Sequence, residues 1–232
     1  MMLRELRDLL AAVPDEHATR KEFALAIIER NELAKETASN RRLTNKRLGE
    51  LYGLDGRLPI FRALRRVWNL DLAGRPLIAL LCALARDPLL RATSEKVLSL
   101  RPAEELVRNE FLDSIRNHVE ARLNDASLDK VARNTGSSWT QSGHLVGRVR
   151  KKRAHVAPTP GAVAFALWLG FLEGRVGDDL LASFWCSIFD GPKQGVRDAA
   201  LQAKQLGLIK ASFAGDVIHI DASPLLPRTI GV

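Results

Sequence analysis

The spacing of apolar residues along the chain is helical almost throughout. Residues 1–10 mix Leu3, Leu6, Leu9 and Leu10 with Arg4, Glu5, Arg7 and Asp8, the start of an amphipathic helix. Residues 16–36 repeat the pattern, with Phe23, Ala24, Ile27 and Ile28 at helical spacing and Glu22, Glu29, Glu32 and Glu36 elsewhere. The polar stretch 37–42 leads into a second periodic segment, punctuated by Leu43, Leu48, Leu51 and Tyr52 and closed by Gly53 and Gly56. A third helix is predicted over 57–69, with Ile60, Leu64 and Val67 on one face and Arg62, Arg65 and Arg66 facing elsewhere. Residues 76–86 are apolar nearly all round, which predicts a helix buried on all sides at the centre of the core. Thr93 with Lys96 starts a short helix. Pro102-Ala-Glu-Glu carries the proline and acidic residues of a helix start, predicting a long helix to about Leu123.

The polar break at 124–127 divides the pattern into a helical part, 1–125, and a second part, 126–232, where glycines, Ser/Thr and basic residues collect. Apolar helices are predicted over 161–172 and 178–189. Asp190-Gly-Pro then stops one helix and restarts another, which runs from 193 to 206 and ends at Gly207. Residues 208–221 carry strand character around an Ala214-Gly-Asp turn, a β-hairpin in an otherwise helical chain. The expected fold class is mainly α: a helical N-terminal domain plus a C-terminal helix-turn-helix and winged-helix-like domain with one small hairpin.

Composition narrows the function. The chain has 232 residues, 46% hydrophobic and 27% charged, as in a folded domain with its own core. Its two cysteines, Cys82 and Cys186, lie in apolar stretches, which argues against a disulfide framework and for a reducing cytoplasm. The apolar runs at 77–85 and 162–169 fall short of the ~20 residues of a membrane span, and the charged first turn is not that of a signal peptide. A net charge of +8 favours phosphate-bearing partners.

That charge is concentrated. Residues 126–160 hold seven Lys/Arg and one Asp, and Arg148, Arg150, Lys151, Lys152 and Arg153 fill five of six positions. Just before them, Val131-Ala132 followed by Gly136 has the spacing of a helix-turn-helix, with glycine taking a positive φ in the turn. The second helix would begin near Ser137 and present Ser137, Ser138, Thr140, Gln141 and His144 to base edges or phosphates, with Trp139 and Leu145 inward. A plain αα corner accounts for the same spacing. A second candidate spans 178–221, where helix, turn, helix and hairpin follow in winged-helix order. Lys193, Gln194, Arg197 and Lys204 would line its second helix, with Lys210 and His219 near the wing. Such a unit serves nucleic acid or a protein partner alike. Arg41, Arg42, Lys46 and Arg47 form a third basic group, flanked by Glu36 and Glu50, which suits a phosphate clamp or a solvated helix end.

Catalytic motifs are missing from the sequence. There is no phosphate-binding loop and no nucleophile elbow, and His17, His118, His144, His155 and His219 show no metal-ligand spacing. Asp178-Asp179 reads as an acidic helix start. No catalytic residue, cofactor or metal is expected.

Asn40-Arg-Arg-Leu-Thr-Asn-Lys-Arg-Leu before an apolar helical core, Ser138-Trp139-Thr140 before a basic segment, and a winged C-terminal end together resemble the BrxA-type proteins of bacterial BREX phage-defence islands. The resemblance runs loosely across most of the chain. It implies a non-enzymatic, mainly helical accessory protein that binds double-stranded DNA, using the polar and basic positions of those two stretches, beside other proteins of a defence complex. A winged-helix adaptor holding a protein partner is the alternative.

Overall fold

The computed structural model describes residues 1–119, 123–214 and 217–225, and the side chains of Phe213, Ala214, Val217 and Ile218 are outside that description. The chain is mainly helical, with small two-stranded sheets. The elements are α1 (Leu3–Ala12), α2 (Arg20–Ile28), α3 (Ala38–Tyr52), α4 (Pro59–Leu70), α5 (Arg75–Arg86), α6 (Pro88–Ala92), α7 (Ser94–Leu98), α8 (Arg108–Arg116), α9 (Asp125–Gln141), β1 (Leu145–Val146), β2 (Lys152–Arg153), α10 (Pro160–Leu172), α11 (Asp178–Leu181), α12 (Lys193–Gln205), β3 (Lys210–Ala214) and β4 (Val217–Asp221).

Local chemistry sets many of these boundaries. Thr19 and Glu22 form a reciprocal capping box, so α2 starts at Arg20 rather than near 16. Thr37 caps α3 by accepting from the Asn40 amide, and Pro59 sits in the first turn of α4. Helix α5 is buried continuously from Leu77 to Leu84, as a helix without a polar face requires. Helix α10 is buried from Gly161 to Gly170 and packs against α4, α5 and α12. These apolar helices form the centre of one continuous core that draws residues from both sides of the 124–127 break.

One buried carboxylate fastens the two sides. Asp71 accepts from the Gly74 amide at 2.8 Å and from the Gly161 amide, in the first turn of α10, at 2.8 Å. Both positions must be glycine, since a Cβ would lie 2.2 Å from Asp71 Oδ2 at Gly74 and 2.6 Å from Asp71 Cβ at Gly161.

Four expectations are corrected. The helix-turn-helix at 131–145 is a single 17-residue helix, α9, capped at Asn124. Leu128, Ala132, Thr135 and Trp139 form one buried stripe that runs straight past Gly136. Burying that stripe outweighs the ~1 kcal/mol a mid-helix glycine costs, and Gly136 keeps a negative φ. The helix expected from Pro102 begins only at Arg108, because residues 103–106 pair with β2 instead and Ala103 takes φ 67°. The helix expected over 178–189 stops at Leu181. The Ser183 hydroxyl and carbonyl both take up the Cys186 amide, and the chain tightens into a 3₁₀ turn at Cys186–Ile188. Arg65, expected on an outer face, is buried, holding the Val13 and Pro14 carbonyls at 2.9 and 2.5 Å. The β3–β4 hairpin forms in the expected place, with Ala214 opposite Val217; its Gly215-Asp216 turn lies outside the described residues.

Candidate nucleic-acid interface

The basic run 148–153 folds as a hairpin. Leu145 pairs with Arg153 and Val146 with Lys152, leaving 147–151 as the loop. Gly147 takes φ 103°, and a Cβ there would lie 2.2 Å from the Arg150 carbonyl oxygen, so the loop closes only with glycine. Residues 103–106 add a third antiparallel segment on the far side of β2. The Ala103 amide donates to Arg153 O, the Arg153 amide to Glu104 O and the Leu106 amide to Lys151 O, each at 2.8 Å.

The five cations divide into two groups. Arg153 was expected to face phosphate, yet it is 4% exposed. Its guanidinium pairs with Asp190 at 2.6 Å and also reaches the Ala154 carbonyl. Asp190 closes the junction by accepting from the Val156 amide at 2.8 Å. Lys151 is half-buried, with its ammonium on Thr140 Oγ1 at 2.7 Å; burial lowers its pKa. Arg148, Arg150 and Lys152 are exposed. Arg150 is 3.9 Å from Glu105, and no ion-pair partner of Arg148 or Lys152 is found among the described residues. Between the two tip arginines stands Val149, 90% exposed.

The residues expected on a recognition helix scatter. His144 is off the helix and fully buried, edge-on to Trp139 at 5.0 Å between ring centroids. Its Nε2 meets the Ile188 carbonyl and its Nδ1 the Ser142 hydroxyl, each at 2.9 Å. A carbonyl only accepts, so Nε2 carries the proton of a neutral ring. Desolvation by burial, against the Ile188 bond, pushes the pKa down to about 4. Ser138 is buried as well, bonded to the Asn134 carbonyl. Neither reaches a base edge. Trp139 turns inward as expected, its indole N–H on Thr93 Oγ1 at 2.8 Å. Leu145 is also inward, on β1 rather than on a helix.

Ser137, Ser138 and Gln141 instead line a cleft of about 770 Å³ with Arg47 from α3. Gln141 accepts from the Leu3 amide at 2.8 Å and donates to Ser137. Glu5, Glu50 and Asp87 share that cleft with Arg47 and Arg86, a mixture that does not favour phosphate. The rest of the α3 group is dispersed: Arg41 holds the Ile28 carbonyl at 2.8 Å, Lys46 lies 3.9 Å from Glu50, and Arg42 is exposed. On α12, Lys193 is exposed, whereas Arg197 is part-buried 3.8 Å from Asp178.

Sequence reasoning missed Asp190 as a partner of Arg153 and residues 103–106 as part of the hairpin. Asp190 carried the signal of a cap, and 102–105 that of a helix start, so no local pattern pointed to either role. Among the described residues no group of three or more His, Cys, Asp or Glu could hold a metal ion. Burial raises the thiol pKa values of Cys82 and Cys186 to about 12 and about 11, which keeps both protonated at neutral pH. No helix among the described residues is long and apolar enough to cross a membrane. No protein-family model, curated protein or solved structure matches this chain.

Proposed function

We infer that this chain is a non-enzymatic double-stranded DNA-binding protein whose contact surface is the 145–153 hairpin. The observation that carries the reading is the split of one basic run: Arg153 and Lys151 brace the hairpin from within, and Arg148, Arg150 and Lys152 are exposed, of which Arg150 alone has a carboxylate near it among the described residues, Glu105 at 3.9 Å. Cations held on a braced loop neutralise phosphates and release counterions without a large ordering cost. The BrxA-type resemblance extends the reading to an accessory role in a bacterial phage-defence complex in the cytoplasm. A salt series with random-sequence duplex tests it. Replacing Arg148, Arg150 and Lys152 by alanine should weaken binding and flatten the slope of log K against log salt by about 0.9 for each phosphate no longer neutralised. An unchanged slope in that triple variant overturns the assignment of the surface.

A second reading gives the C-terminal unit, α11 through β4, a winged-helix-like adaptor role. What favours protein over DNA there is the outward side of α12. Gln194 bonds Asp198 at 2.7 Å, Arg197 is paired, and Leu201 is 39% exposed. With Lys193 and Lys204 also exposed, that surface is weakly positive and partly apolar.

A further inference from the structure

The apex of the basic hairpin has a shape and chemistry beyond simple phosphate neutralisation. Val149 is 90% exposed, and Arg150 beside it has 81% of its side chain in solvent. A β-branched apolar residue 90% exposed in a loop makes few apolar contacts within the fold, and burial on a partner would supply them. The loop is also held: Gly147 closes against the Arg150 carbonyl, and the Lys151 ammonium ties back to Thr140 and to Gly147 O at 3.4 Å. Behind the apex the base is three strands wide, so its outer axes are about 10 Å apart before side chains are counted. A base of that width overfills a major groove of about 12 Å, and only the apex can go deeper. The apical side chains match a minor groove about 6 Å wide and about 7.5 Å deep.

We propose that the Arg148-Val149-Arg150 apex enters the minor groove of A·T-rich duplex DNA, with the two arginines along the groove and Val149 wedged against a base step. Narrow A·T minor grooves concentrate negative potential and draw in arginine, and an apolar wedge there partly unstacks a step and bends the duplex. The guanine amino group obstructs the same floor in G·C sequence. This rests on the DNA-binding reading above and adds the groove, the base-pair preference and the bend.

The test uses the full chain and equal-length duplexes with A·T or G·C cores, end-labelled for energy transfer, at low salt. Affinity for the A·T core should exceed that for the G·C core by about tenfold, and the minor-groove ligand netropsin should compete. Arg148→Ala with Arg150→Ala should remove that preference. Val149→Ser should cost about threefold or less in affinity yet abolish a bend of about 20° or more. All three residues are exposed, and an unchanged melting temperature verifies that each variant is folded. Equal affinity for both cores, untouched by netropsin, overturns the groove assignment and leaves DNA binding standing. A bend that persists in Val149→Ser overturns the wedge. Tighter binding to single strands than to either duplex overturns the insertion. Failure to bind any duplex overturns the DNA-binding reading together with this one.

Discussion

The basic hairpin and helix α12 look alike as strings of letters, each a short run carrying several cations, but they use those cations differently. In the hairpin, Arg153 and Lys151 are consumed in bracing, which leaves Arg148 and Lys152 without an ion-pair partner among the described residues. In α12, Arg197 is turned toward Asp178 and Gln194 toward Asp198, and the exposed Lys193 and Lys204 stand at opposite ends of the helix. Just beyond α12, Lys210 at the foot of its hairpin lies 3.4 Å from Asp221. A surface becomes available to a phosphate only where cations outnumber the carboxylates within reach. That is a property of packing neighbours, which lie far apart in sequence.

The strongest way to break this contrast is to remove the support on which the hairpin stands. Trp139 is fully buried and bonded to Thr93, and its helix leads directly into β1. Trp139→Ala should destabilise the chain by about 3–5 kcal/mol in urea unfolding, and DNA binding should fall with the folded fraction. A loss below about 1 kcal/mol would show that the hairpin's base does not depend on α9.

The next lever is pH. His144 has a folded pKa of about 4, below its unfolded value near 6.5, so the unfolded chain takes up the proton first. Stability should therefore be complete above about pH 6.5 and fall as pH drops toward 4, by about 3 kcal/mol in all. Melting curves across that window check it, and a His144→Gln variant should show a flatter profile.

Arg153 and Arg150 sharpen the comparison within the run itself. Arg153→Ala leaves Asp190 facing an emptied site and should cost about 2–3 kcal/mol of stability, reduced from a fully buried pair because Asp190 keeps some solvent contact. Arg150→Ala should change stability by less than about 0.5 kcal/mol and act on DNA binding alone. Measuring both properties for both variants should give opposite patterns, and matching patterns would erase the distinction between brace and tip.

The smallest effect on DNA binding is expected on α12. Arg197→Ala should cost about 0.5–1 kcal/mol of stability and leave the salt slope of DNA binding unaltered, because that guanidinium is already engaged. A slope reduced as much as in the hairpin variants would make α12 a second DNA surface and remove the reason for treating it as an adaptor.

Much of this architecture was legible along the chain. The continuous apolar stretches at α5 and α10 and the β3–β4 strands announce themselves locally, because burial patterns repeat over a few residues. The location of the exposed basic tip was legible too, since five cations in six positions cannot all be buried. What only the tertiary structure decided was which of them are exposed, and whether Gly136 turns the chain. Arg153 is inward because Asp190, 37 residues away, meets it beneath the hairpin. His144 is inward because the Ile188 carbonyl, 44 residues away, accepts the hydrogen bond from its Nε2–H. Residues 103–106 leave the helix their proline and acidic residues predict because β2 offers their backbone another set of partners. Local propensities differ by about 1 kcal/mol or less, and a buried stripe, an ion pair or a strand edge supplied from elsewhere in the chain outweighs them.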